Sequence, residues 1–585
     1  MNKVFFTLLI CLLMPTVSQA KIGDRFQVIE NGIRWLYTVI ADGEVEVGFD
    51  EMGWYYESTY YVDSLIIPSE VRGYKVTRIA DSGFEELPDF ETVVMPEGLR
   101  TIGKRAFRKN SMLVNVVFPE NLEVIGEEAF YGCFSLEEIN LKNHVKAIHE
   151  SAFWGCYSMR ELRLSEELQT IENWAFAYCR NLKSLYLPKN VSYIHGSSLW
   201  ACLGLESIEV AEDNPYFDSR NNSNAVIKKE GDELVCGCSA TIIPLNVRRI
   251  GDGAFCFQGN KPILPEGIPN SVESIGMDAF TGCTFDSLQI TKNVKVIDDM
   301  AFSGCTFLVA CKIEEGGLKV IGNGAFERAK IPGLTIPLSV EVIGERAFSQ
   351  STIQSAVIPS GIKTVSNHAF DDCRELKSLE LQEGVEIIGG GAFSGCKKLV
   401  FNDIKFPSTL RVIEKGAFSY CNLSYIKIPD GVVKIGPRAF QYCNVNGFEP
   451  TSVYLPASLK EIGDSAFFTA HSVQVTTAIP NPLPIKETVF TCYHDGHDKL
   501  WTYRSNGVLT VPKGCADLYR ATYPWSLFKN IREIEHIGID QQTTSKAPAV
   551  EKARYTVDGV KTKSHIQGLT IVEMSDGSRC KVMVK

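Results

Sequence analysis

Along this chain an apolar residue, a small residue and a Phe return together, in the order Ile-Gly-x-x-Ala-Phe-x-x-Cys, followed by spaced Leu or Ile positions and often a Pro. With the Phe as marker, Phe84, Phe107, Phe130, Phe153 and Phe176, then Leu199 in the same slot, stand 23 residues apart. The series resumes at Phe255 and continues through Phe280, Phe302, Phe326, Phe348, Phe370, Phe393, Phe418, Phe440 and Phe467 in steps of 22 to 27. Sixteen coils follow from the count. In the coil of residues 171–191, Leu185 and Leu187 alternate as in a strand, and Pro188 ends the ladder because it has no N–H to donate. Ile171, Ala175, Phe176 and Cys179 fall at i, i+4, i+5 and i+8, the spacing of one side of a short helical or turn-like segment. Each coil is therefore expected to run strand, turn, helical turn.

A period of this size belongs to leucine-rich-repeat solenoids, whose coils cannot bury their apolar faces alone and must stack on their neighbours. The expected fold class is an α/β repeat: a solenoid of about 16 coils of about 23 residues, with a parallel inner β-sheet and β-rich caps. At roughly 4.8 Å per strand the inner sheet would extend on the order of 75 Å, a wall and not a closed pocket. The slot before the Phe is Ala in fourteen of the sixteen coils, as a close backbone approach demands. The Phe column is expected to form an aromatic spine that holds the fold and does no chemistry.

Eighteen cysteines raise the question of disulfides or metal. Ten of them (Cys133, Cys156, Cys179, Cys202, Cys283, Cys305, Cys373, Cys396, Cys421 and Cys443) occupy one slot, three residues after the Phe, where other coils carry Leu87, Asn110, Ala329 or Ser351. A linear column of this kind reads as small apolar filler, since a metal needs convergent ligands. No catalytic residue, metal site or cofactor is expected. His-Glu-x-x-His and Gly-x-Ser-x-Gly are both absent, and carboxylates are spread along the wall with no pair singled out.

Three regions depart from the period. Residues 21–78 are expected to form an N-terminal β-rich cap, with Trp54, Tyr55 and Tyr56 as an alternative platform for stacking glycans. Between Leu199 and Phe255 lies an expected hairpin insert at about 211–245, whose Asp213-to-Asn224 run is turn chemistry or, alternatively, a calcium loop. It also holds the Cys236-Gly-Cys238 pair, the likelier redox site of the chain. The solenoid is expected over 79–490, a degenerate last coil and C-terminal cap over 491–536, a linker over 537–553 and a small β tail over 554–585. Cys492-Tyr-His494-Asp495-Gly-His497-Asp498 in the last coil is a weak zinc pattern.

A net charge of −11 argues against nucleic acid or an anionic membrane as the partner. Residues 1–20 have the charged, apolar and small-residue parts of a signal peptide cleaved after Ala20, and no other stretch is long and apolar enough for a membrane span. The expected location is secreted or on the outer cell surface. If binding uses the inner sheet, the contacting column is Asn140, Arg163, Tyr186, Glu209, Gln289, Lys312, Glu380, Lys405, Lys427 and Tyr454. Its mixed chemistry suits a macromolecule better than one small ligand.

The coil seen at Val124-Ile125-Gly126 through Ala129-Phe130 and Cys133 to Leu136, Ile139 and Leu141 resembles the BspA-like (Treponema pallidum type) leucine-rich repeat. The insert from Asn214 to Ile227 and the ending around Val511-Pro-Lys-Gly514, Trp525 and Phe528 are also similar to that family. The resemblance implies a bacterial surface or secreted protein, often of the Bacteroidetes, adhering to host matrix proteins, host cells or other bacteria. The tail, from Tyr555 to Lys585, resembles the C-terminal tails of secreted Bacteroidetes proteins, some of which are sorting signals, which implies sorting or anchoring for it.

Overall fold

In a computed structural model the chain is described over residues 20–30, 33–49, 63–87, 90–141, 144–256, 267–331, 333–443, 450–469, 473–490 and 507–534, together with the strands of 551–556, 561–562, 568–574 and 579–584. The expected signal peptide up to residue 19, the Trp54-Tyr55-Tyr56 cluster and the pattern from Cys492 to Asp498 lie outside these residues.

The chain winds into a solenoid of about 18 turns. Each coil contributes to two faces. On one face a short doublet ending in Ile pairs in parallel with the next, so that Ile102, Ile125, Ile148, Ile171 and Ile194 stand in one register. The other face carries the longer strands, such as Glu138–Asn140, Glu161–Arg163, Ser184–Leu187 and Ser207–Val210. Alternation puts Ile139, Leu162, Leu185 and Ile208 inside and their neighbours outside.

The helical turn expected between the faces is not helical. Positive φ recurs on either side of the Ala-Phe pair, at residues of ordinary type such as Arg105 (58°) and Lys109 (60°) around Phe107 and at glycines such as Gly391 and Gly395 around Phe393. The turn then bonds to the coil after it, with Arg105 N to Glu127 O at 2.8 Å, Phe107 N to Ala129 O at 2.7 Å and Lys109 N to Tyr131 O at 2.6 Å. An α-helix would have spent these donors within its own coil. Among the described residues the one α-helix is Ala516–Ala521, near the C-terminal end.

The unbroken wall expected on the long-strand face is also modified. That face divides into ladders of two to five strands, while the doublets form the longer sheets. Length variation falls on the arm leading to the long strand: Val116 follows Phe107 by nine residues, but Ile404 follows Phe393 by eleven and Val453 follows Phe440 by thirteen. Strands of three residues offer few cross-strand bonds to carry a ladder on from coil to coil.

The spine of rings is continuous from Phe84 to Phe176 and again from Phe255 to Phe467, with centroids 5.0 to 5.5 Å apart and planes within 15°. It runs one ring past the sixteen counted coils, because Phe490 stacks on Phe467 at 5.4 Å and is itself covered by Trp525 and Phe528. At the other end Arg25–Glu30, Ile33–Ala41 and Glu44–Phe49 form an antiparallel meander that continues the doublet sheet, and Trp35 packs edge-on against Phe84.

Where the spine breaks, at Leu199, the hairpin of Ala225–Lys228 and Glu233–Gly237 crosses the interior. Val226, Cys236 and Cys238 pack into the core of the preceding coils, while Ala225, Ile227 and Leu234 pack into the core of the following ones. Alternation along the first strand, with a register shift opposite Val226 and Ile227 in the second, gives the hairpin two apolar faces and makes it a partition between two cores.

Candidate binding surface

The outward column of the long-strand face is brought together in register. Asn140 pairs with Arg163, Tyr186 with Glu209, Gln289 with Lys312, Glu380 with Lys405, and Lys427 with Tyr454. Most of these side chains are exposed, with Glu380 and Tyr454 half-buried. Some are engaged within the column or beside it: Lys405 Nζ lies 2.7 Å from Glu380, and Gln289 donates to the neighbouring Glu314 at 2.5 Å. Exposed pairs of this type contribute little to stability, so they remain available to a partner.

Beside this column, the Ser207–Val210 strand and the insert enclose a polar cleft of about 460 Å³, lined by Glu209, Glu212, Asp218, Arg220, Asn222 and Asn224 among others. Arg220 is spent on Asp218 (2.7 Å) and Asp232 (2.6 Å). Tyr186 stands 45% exposed, and desolvation, then the carboxylates of Glu166, Glu209 and Asp213, raise its phenol above the usual value. The Asn-rich run is turn chemistry where it is best defined. Asn214 is fully buried, its Oδ1 accepting from the backbone of Tyr216 and Phe217 and its Nδ2 donating to Pro188 and Val191. Among the described residues no group of three or more His, Cys, Asp or Glu is placed to hold a metal ion.

The cysteine column does more than fill space. Every one of its ten thiols donates to the carbonyl of the Phe in the coil before it, at 3.0 to 3.5 Å, so a small residue with a donor suits the slot. All ten are free and buried, and burial pushes thiols such as Cys202 and Cys421 up to about 12. Cys236 and Cys238 are likewise free and buried, with Cys236 also at about 12. Thiols so raised are poor nucleophiles.

A second surface was not singled out from the sequence. On the turn edge of the coils around Phe130 to Leu199, Tyr131 stacks on Trp154 at 4.4 Å, Trp154 meets Tyr178 at 4.9 Å, and Phe134 stacks on Tyr157 at 5.0 Å. Trp200 continues the row, 6.4 Å from Tyr178 and 5.7 Å from Trp174. The signal was there to be found: the slot after the marker Phe reads Glu85, Arg108, Tyr131, Trp154, and after Leu199 it reads Trp200.

Among the described residues no helix is long and apolar enough to cross a membrane. No curated protein matches the chain in sequence. Among solved structures it is similar to a leucine-rich cell surface protein from Faecalibacterium prausnitzii, at 20% identity over 65% of this chain and 95% of that one, with a TM-score of 0.43. It is similar to leucine-rich-repeat proteins from Eubacterium ventriosum (18% identity, 73% and 97% covered, TM-score 0.39) and Bacteroides ovatus (19% identity, 78% and 94% covered, TM-score 0.33). The family described as BspA type Leucine rich repeat region matches residues 77–206, 234–353, 319–446 and 363–494, well over half of the chain. With the Ile-Gly-x-x-Ala-Phe-x-x-Cys coil resolved as a stacked turn between two parallel faces, this chain belongs to the BspA-type leucine-rich-repeat family.

Proposed function

We propose that the chain is a non-catalytic binding protein, secreted or displayed on the cell surface, which contacts extracellular or cell-surface proteins of a host matrix or of other bacteria. The observation that carries this reading is the long-strand face. It offers outward side chains of both signs with tyrosines among them, in register within each of its ladders. An extended, chemically mixed surface suits a macromolecular partner. Membership in the BspA-type family supports a repeat protein that acts by binding.

The test is binding of the purified full chain to labelled extracellular-matrix proteins and to a glycan array, repeated with Arg163→Ala/Tyr186→Ala. Saturable binding to a matrix protein that the double variant loses is the expected result. Binding to glycans alone, or to neither class, would overturn the reading.

A further inference from the structure

We propose that the aromatic ribbon on the turn edge is a second docking surface, built for a segment of a partner protein that brings a carboxylate to Arg180 and aliphatic side chains to the ring edges. The ribbon comprises Tyr131, Trp154, Tyr178 and Trp200 in one row, with Phe134 and Tyr157 alongside. Its rings are half-buried, and Phe134 is 41% exposed. None of them belongs to the spine, whose Phe rings are buried beneath.

The faces of the central rings are already covered. Tyr131 sits between the Arg108 guanidinium, 5.3 Å from its centroid, and Trp154. Tyr157 sits between Phe134 and the Arg180 guanidinium, the latter at 5.0 Å, and Arg180 also lies 5.5 Å from the centroid of Tyr178. A sugar ring binds an aromatic through its open face, and these rings present edges. Edges of Trp and Tyr beside Arg are the composition of protein–protein hot spots.

Charge selects the partner further. Arg105 and Arg108 on the neighbouring coils are paired with Glu128 and Glu85. Arg180 is exposed, and none of the described carboxylates stands within ion-pair reach of it. A cation held over two rings and left without a counter-ion is a preorganised acceptor for a carboxylate. The row spans about 15 Å, three coil spacings, which an extended segment of about five residues would cover.

The proposal rests on reading the chain as a binding protein, and its test separates the two. A random-peptide display library is panned on the full chain, and an enriched peptide is synthesised with its acidic residue intact and as the amide. The expected result is enrichment of acidic, aliphatic sequences whose affinity falls about tenfold or more, about 1.4 kcal/mol, on Arg180→Glu, on Trp154→Ala and on amidation. Arg180→Glu replaces an exposed side chain, giving up its contacts with the Tyr157 and Tyr178 faces but no buried packing, and keeps the test open if Trp154→Ala fails to fold. Enrichment without acidic residues, undiminished binding to Arg180→Glu, or glycan-array binding that Arg180→Glu abolishes would each overturn the proposal. Matrix-protein binding lost in Arg163→Ala/Tyr186→Ala but kept in Arg180→Glu would leave the long-strand face as the working surface regardless.

Discussion

Gly237 donates its backbone N–H to the carbonyl of Ala254 at 2.9 Å, and the ring of Phe255 fills the space in which any β-carbon on residue 237 would stand. This is where the aromatic spine restarts after the partition, so the first ring of the second core is seated on bare backbone. Gly237→Ala forces that ring off its stack with Phe280, and overpacking of this kind costs about 1 to 3 kcal/mol. Urea denaturation of the variant should show the loss; an unchanged midpoint would mean that the ring has room to give.

Val226 and Ile227 are adjacent in sequence and belong to different cores. Truncating either to Ala leaves a buried void worth about 2 to 4 kcal/mol. In a stacked array the damage stays with the coils that share the contact. Hydrogen exchange read by mass spectrometry should therefore show Val226→Ala loosening the coils before the hairpin and Ile227→Ala those after it. Equal loss of protection on both sides in both variants would show that the hairpin transmits strain and does not divide.

His195 gives the fold an acid-sensitive point. Its Nδ1 lies 2.8 Å from Ser197 Oγ and accepts from Ser197 N at 3.2 Å, and burial holds its imidazole below the ordinary value against the opposing pull of Asp252 and Glu150. The unfolded chain thus takes up this proton at a higher pH than the folded chain does. The contribution to stability is full above about pH 6.5 and declines as the pH falls below it. The difference in urea midpoint between the native chain and His195→Gln should shrink between about pH 7.5 and about pH 5.5, roughly one pH unit to either side of that point. A constant difference would place the ring's proton affinity at its usual value in the fold.

The thiol column predicts unreactive cysteines. With thiols such as Cys202, Cys373 and Cys421 at about 12 and buried, a disulfide reagent should label the folded chain slowly and the denatured chain rapidly. Cys515, the least buried of the described thiols, should react ahead of the column. Fast labelling of Cys179 or Cys202 in the native protein, located by mass spectrometry, would contradict the packing.

The spine and the parallel long-strand face were legible because each depends on apolar residues recurring in fixed slots, whereas the doublet face was not, since Ile171 was grouped with the turn and stands in a strand. The conformation of the turn was not. Ile171, Ala175, Phe176 and Cys179 fit a helical face as well as they fit the real geometry, and the left-handed positions beside them are held in this coil by Trp174 and Tyr178, whereas the signal lay in other coils, where Gly132, Gly155, Gly282 and Gly304 stand two residues after the Phe. The outward column was legible from strand alternation, whereas its division into short ladders follows from relations between coils that no single coil encodes. The aromatic ribbon escaped because Tyr131 and Trp154 are each unremarkable in their own coil and meet only across the stack.

Each turn passes its N–H groups forward to the next coil, and each thiol reaches back to the Phe carbonyl of the one before. What a coil offers on one side is what it requires on the other. Tandem duplication of whole coils can therefore lengthen the array without creating a mismatched junction, and copy number becomes a variable independent of surface sequence. Reach and recognition are then free to diverge separately, the first by duplication and the second by substitution at outward positions such as Arg163 and Arg180.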